Sequence, residues 1–313
     1  MCIVFWCLDD SAEALGAYSL VLAFNRDEFF DRPTRGFHIW EDWPNICAPL
    51  DLKPSNKDHR GSWIGTNRQG RLAFLTNFRE PIPHHDGKIS RGALVRDFLL
   101  DNPVTPGGQT IHAKNPRDIV IEYAEKVFQE REMYDGFNLV LFDLASLQKT
   151  AVYVTNRGGH QQGGLGHMSV LSQGQTIGLS NSTIDNPWPK VVYGADKFKQ
   201  VMASSSRFND PDEQDTHVIA QIMDAMCDSS PFGRENGNGV PQNIEDLAQC
   251  IFVPRINGSI SQLSGGCYGT RTTDVLLLRS NTLVIAECNY DKAQDHSVDI
   301  SKPANLTYFS FNS

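Results

Sequence analysis

Two apolar runs near the start of the chain, Ile3-Val4-Phe5-Trp6-Cys7-Leu8 and Tyr18-Ser19-Leu20-Val21-Leu22-Ala23-Phe24, hardly alternate with polar residues. Strands of that kind are at home only where both of their faces are covered. Further strand-like runs lie at residues 62–65, 71–76, 137–142 and 151–155, and the chain closes with others at 273–278, 283–287 and 306–311. Helical patterns lie between them. Ser90 reads as the cap of a helix over 91–100, and Asn115-Pro116 as cap and first turn of one running to about residue 130. Two more span 189–203 and 215–227, joined by a polar segment at 204–213. Strands at both ends with helices between them predict an α+β fold, two layered sheets flanked by helices, and not an alternating βαβ series. Residues 32–61, rich in proline and charge, read as a long surface excursion. Neither a repeat nor a linker interrupts the pattern, so a single domain over residues 1–313 is expected.

Composition narrows the function. With 40% hydrophobic residues and 17 phenylalanines, the 313-residue chain can bury a sizeable core. Its net charge of −9 argues against nucleic acid and anionic membranes as partners. No run approaches the roughly 18 apolar residues of a membrane span. The first apolar run has no basic segment before it and stops at Asp9-Asp10, unlike a signal peptide. A soluble cytoplasmic protein is the expectation. Its seven cysteines are scattered, with no Cys-x-x-Cys pair, which predicts free thiols and no metal site.

Chemistry concentrates at a few strand ends. Cys2 is small, so Met1 beside it is removable, and the thiol would then share a carbon skeleton with a free α-amine. That amine has a pKa of roughly 8 against about 10.4 for lysine, so it can act as the base for the thiol. The plain alternative is a buried apolar cysteine in a first strand. The second strand ends in Asn25-Arg26-Asp27-Glu28. A buried arginine needs carboxylate partners, and Arg26 near Cys2 would favour the thiolate. Alternation puts Arg26 and Glu28 on one face and Asn25 and Asp27 on the other. Spacing leaves open which carboxylate faces the sulfur; the plain reading is a solvated strand end with a weak surface ion pair. Asn77, after Ala73-Phe74-Leu75-Thr76, and Asn181, after Thr176-Ile177-Gly178-Leu179-Ser180, each close a strand. Such asparagines either point an amide at a developing oxyanion or simply form turns. Arg271, in Tyr268-Gly269-Thr270-Arg271, either binds a substrate carboxylate or anchors a loop.

Taken in order, Cys2, Asn25-Arg26-Asp27-Glu28, Gly65-Thr66-Asn67 with Leu75-Thr76-Asn77-Phe78-Arg79, Leu179-Ser180-Asn181-Ser182 with Trp188-Pro189-Lys190, and Tyr268-Gly269-Thr270-Arg271 resemble the transport and Golgi organisation protein 2 family, also called the NRDE family. The likeness runs from the first strand to the last quarter of the chain. More distantly, the chain is similar to N-terminal-nucleophile cysteine hydrolases of the choloylglycine hydrolase and penicillin V acylase kind. That resemblance implies a four-layer αββα sandwich. It also implies Cys2 as nucleophile, Arg26 with Asp27 as the pair beside it, and Asn77 and Asn181 on the oxyanion side. Those acylases separate their arginine and aspartate by two residues, whereas Arg26 and Asp27 are adjacent. For their late arginine, Arg271 and Arg255 are the candidates.

The leading expectation is therefore acyl transfer from an amide or thioester to Cys2, with a small-molecule acyl substrate and no required cofactor. The runner-up is a non-catalytic carrier of haem or a lipid-like ligand. The family resemblance implies links to haem trafficking, to Golgi or secretory function and lipid homeostasis, and to mitochondrial or Golgi association. His84, His85, His160 and His167 are the histidines that loops offer as haem ligands, and Cys2 is a further candidate ligand. Acylation of Cys2 as a membrane anchor ranks last, because no basic residues flank it.

Overall fold

The computed structural model describes residues 1–11, 18–80, 87–158, 165–204, 210–230, 241, 243, 245–257, 266–291 and 305–311. They form two compact units, each built on one antiparallel sheet. The first comprises residues 1–32, 174–180 and 187–308; the second comprises 33–173, 181–186 and 309–313.

In the first unit the strands are β1 (Cys2–Leu8), β2 (Leu20–Phe29), β10 (Thr176–Leu179), β11 (Ile256–Asn257), β12 (Cys267–Arg279), β13 (Thr282–Asn289) and β14 (Asn305–Ser310). Their order is β10-β1-β2-β12-β13-β14, with β11 paired to β12. Helices α3 (Pro189–Ser204) and α4 (Pro211–Met226) pack on one face. Ile3, Phe5, Val21, Ala23, Val275 and Leu277 point to that face and meet Phe198, Val218, Ile222 and Met223. The alternating residues Val4, Trp6, Leu22, Phe24 and Leu276 are equally buried. Two-sided burial is the physical reason these strands read as continuous apolar runs.

The second unit holds β3 (Thr34–Ile39), β4 (Ile46–Asp51), β5 (Ile64–Asn67), β6 (Arg71–Asn77), β7 (Phe137–Asp143), β8 (Thr150–Thr155) and β9 (His167–Val170), paired in that order. Helices α1 (Gly92–Leu99) and α2 (Pro116–Gln129) cover one face through Leu94, Phe98, Val120, Tyr123 and Val127. Both units thus combine an antiparallel sheet with a helix pair, the α+β class expected from the order of elements. No described helix is long and apolar enough to cross a membrane.

Some boundaries differ from the sequence expectation. The excursion expected at 32–61 contains β3 and β4. β3 is a sheet-edge strand with no fully buried residue, so its pattern lacks an apolar stripe. α1 begins after Arg91 with no side-chain cap, so Ser90 is not its capping residue. Asn115 does cap α2, accepting from the Arg117 N–H at 3.0 Å. α4 starts earlier than residue 215, because Asp210 accepts from the Asp212 N–H at 2.9 Å and Pro211 fits the first helical position. His84, His85 and His160 lie outside the described residues.

Candidate functional site

In the first unit, the β1–β2 register sets Cys2 opposite Arg26, and β12 brings Thr272 opposite Arg26 from the other side. Because Ile3 and Asn25 take the helix-facing side, Cys2 and Arg26 occupy the other face of the sheet. Phe24, Asp274 and Glu287 follow in register on that same face. The expected alternation holds. Arg26 Nη2 lies 3.8 Å from Glu28 Oε2, and Arg32 Nε lies 3.8 Å from the same oxygen.

Asp27 turns the other way. Its Oδ1 accepts from Thr270 Oγ1 at 2.7 Å, and its Oδ2 lies 3.9 Å from Lys190 Nζ at the start of α3. Its main chain grips the beginning of β1: the Asp27 N–H donates to Met1 O at 2.7 Å, and the Met1 amine donates to Asp27 O at 2.8 Å. Tyr268 Oη also contacts that amine. Ser180 Oγ donates to Cys2 O at 2.7 Å, so the main chain of Cys2 is fixed as well.

These surroundings act on charge in opposite directions. Burial pushes the Cys2 thiol up, and the Asp27 carboxylate adds to that. The Met1 amine, Arg26 and the Asp27 N–H pull it back toward thiolate. Asp27 is itself raised, chiefly by burial, against the lowering influence of Lys190 and the amine. Burial would raise Glu28 too, but the amine, Arg26 and Arg32 outweigh it and hold that carboxyl below its ordinary value.

Arg271 is engaged elsewhere. It is the extra residue of a β-bulge between Thr270 and Thr272, which re-aims its side chain. Its Nε and Nη2 reach Asp291 at 2.7 and 2.5 Å, and its Nη1 donates to Phe29 O and Arg32 O at 3.1 and 2.6 Å. Arg255 lies 3.9 Å from the Phe30 ring centroid and donates to Tyr290 O and Asp291 O at 2.9 and 3.0 Å. Both arginines brace the turn that follows the Asn-Arg-Asp-Glu segment.

Asn77 and Asn181 belong to the second unit and meet there. Asn181 Nδ2 donates to Asn77 O at 2.6 Å, and the Arg79 N–H donates to Asn181 O at 2.8 Å. Beneath them Asn138, which the sequence did not single out, donates to Ser182 O at 2.9 Å and accepts from Tyr153 Oη at 2.7 Å. His167 stacks edge-on to Tyr153, with ring centroids 5.2 Å apart. Asn67, quoted above only for its family likeness, serves a turn: its Oδ1 accepts from the Gln69 and Arg71 N–H groups. Among the described residues, no cluster of three or more histidine, cysteine or acidic side chains is arranged to hold a metal ion.

Asp274 and Glu287, a cross-strand pair of buried acids, were also missed. The readable signal was a carboxylate directly before the apolar run Val275–Leu278 and another inside the mostly apolar β13.

The sequence matches the family described as Transport and Golgi organisation 2 over residues 1–292. A mouse protein (Mus musculus) called Transport and Golgi organization 2 homolog is 30% identical over 284 residues, covering 90% of each chain. A Bos taurus protein of the corresponding name is 32% identical over 281 residues, covering 89% of this chain and 88% of that one. The chain belongs to the Transport and Golgi organisation 2 family. Among solved structures, penicillin V acylase from Agrobacterium tumefaciens aligns over 99% of this chain and 91% of its own, at 16% identity and a TM-score of 0.40. That likeness is remote.

Proposed function

We propose that this protein hydrolyses an amide or thioester bond, with the Cys2 thiol as nucleophile once Met1 has been removed. The observation that carries the reading is the register that sets Cys2 opposite Arg26. Arg26 beside Cys2 favours the thiolate and works against the burial that holds the thiol up.

The neutral α-amine of Cys2 takes the thiol proton as sulfur bonds to the carbonyl carbon. The tetrahedral adduct collapses, the leaving amine or thiol departs with that proton, and a thioester remains on Cys2. Water then adds with the amine again as base, the carbon–sulfur bond breaks, and carboxylic acid and free thiol are regenerated.

The test is the intact mass of the protein purified from cells with normal methionine processing, before and after exposure to acyl thioesters and activated acyl amides. A chain starting at Cys2, an acyl adduct on it, and loss of turnover in Cys2→Ala are the expected results. Retained Met1, or turnover unchanged in Cys2→Ala, overturns the proposal.

A further inference from the structure

Lys190 stands against every local preference. Its side chain is fully buried, and its Nζ has no hydrogen-bond partner among the described residues. It also sits in the first turn of α3, where the helix dipole disfavours a cation. A buried ammonium costs several kcal/mol unless a counter-charge offsets it. The counter-charge is Asp27, whose side chain is equally buried and whose Oδ2, likewise without a hydrogen-bond partner, lies 3.9 Å away. The Trp188 ring flanks the ammonium, its centroid 5.8 Å from Nζ. Such placement is expensive as packing alone, since a methionine of similar volume would fill the space at no charge cost.

Asp27 is the residue whose main chain clamps Met1 from both sides and whose carboxylate acts on Cys2. We propose that Lys190 is a positioning residue: the buried counter-ion that keeps Asp27 ionised and oriented between α3 and Thr270, and through Asp27 sets the charge state at Cys2. This deepens the reading of Cys2 as a nucleophile and rests on it for its catalytic meaning, but the test needs no substrate. The groups facing Asp27 are Lys190 from α3, the Met1 amine from the start of β1, Thr270 and Tyr268 from β12, and Cys250 from the segment before β11, with Arg26 acting from the opposite face of β2. The charged groups acting on Cys2 are the amine and Arg26, with Asp27 acting from the opposite face of the sheet.

The experiment compares Lys190→Met, Asp27→Asn and the double variant by thermal unfolding and by the pH profile of Cys2 alkylation with iodoacetamide, located by peptide mass. Either single change leaves one buried charge unpaired, so each lowers the unfolding midpoint, and the double variant recovers most of the loss. Without Lys190, Asp27 takes up a proton, and the influence of its negative charge on Cys2 across the sheet disappears. The alkylation midpoint therefore moves down in Lys190→Met, by the same amount in Asp27→Asn, and no further in the double variant. If Lys190 instead acted directly on the sulfur, its loss would move the midpoint up. That result, or an unchanged profile in both single variants, overturns the proposal. Should Lys190→Met be insoluble, a soluble double variant supports it and an equally insoluble one overturns it. Failure of the hydrolase reading appears separately, as absence of an acyl adduct on the unaltered protein.

Discussion

Thr273 Oγ1 donates a 2.7 Å hydrogen bond to Asn25 Oδ1 across β12 and β2, within the helix-facing side of the first sheet. The same amide donates to Met226 O at 2.8 Å and Ile251 O at 3.2 Å, tying the strand to the end of α4 and the segment beyond it. Tyr290 Oη extends the network to Thr273, at 3.2 Å. Every polar atom of the Asn25 side chain is thus occupied in a buried position, a structural role for the first letter of the Asn-Arg-Asp-Glu motif. Asn25→Ala leaves two carbonyls and a hydroxyl short of a partner and should cost about 3 kcal/mol. Asn25→Asp, which turns the donor into an acceptor facing those carbonyls, should be at least as damaging. Urea unfolding with an unchanged m-value measures both; a loss below about 1 kcal/mol contradicts the network.

The alternation that separates Arg26 from Asn25 was legible in the sequence, because a strand's period of two needs no knowledge of its neighbours. The long apolar strands were legible for the same reason. What a residue meets across the fold was not. Lys190 and Asp27 are far apart in sequence, and nothing in Trp188-Pro189-Lys190 announces a buried ammonium. Between the two readings of Arg271, substrate binding or loop anchoring, the sequence could not choose, because a bulge, which depends on pairing with β2, cannot be seen in one strand. β3 escaped because a polar sheet edge carries no apolar stripe.

Asp274 predicts a pH dependence. It is fully buried. Burial, then the facing carboxylate of Glu287, push its pKa well above the usual carboxylate range. A group raised in this way binds more protons folded than unfolded, so its contribution is full below about pH 4 and is lost as pH rises toward the folded value. Asp274→Asn removes that slope. The stability of the variant relative to the parent should therefore rise as pH increases above about 4, read from urea midpoints. Parallel curves for the two proteins would show that Asp274 titrates normally.

Arg71 stabilises the end of α1 in the second unit. Its Nε donates to Phe98 O at 3.1 Å, and its Nη2 reaches Leu100 O and Asp101 O at 2.5 and 3.4 Å, carbonyls that the helix end leaves without partners. Burial lowers its pKa to about 10, so it stays charged at neutral pH. Arg71→Met should lose about 2–4 kcal/mol. Arg71→Lys should fall between, since one ammonium cannot span the carbonyls that the guanidinium fork reaches. Hydrogen exchange across residues 92–99 should quicken in both; exchange unchanged there, with stability lost elsewhere, would rule out the capping role.

Gly194 sits inside α3, where a glycine ordinarily costs up to about 1 kcal/mol relative to alanine. The reason for it is the ring of Phe5. A Cβ at Gly194 would lie 2.3 Å from Phe5 Cζ and 3.0 Å from Ile251 Cδ1, and one at Gly178 on β10 would lie 2.9 Å from Phe5 Cε1. The two glycines therefore form the slot that seats the ring and lets α3 approach β1. Overpacking costs of about 1–3 kcal/mol outweigh the gain in helix propensity, so Gly194→Ala should destabilise. Adding Phe5→Leu removes the ring atoms in the way, and the second change should cost less in the Gly194→Ala background than alone. Calorimetry of the four proteins in this cycle decides it: additive losses would mean that the ring and the glycine do not share the slot.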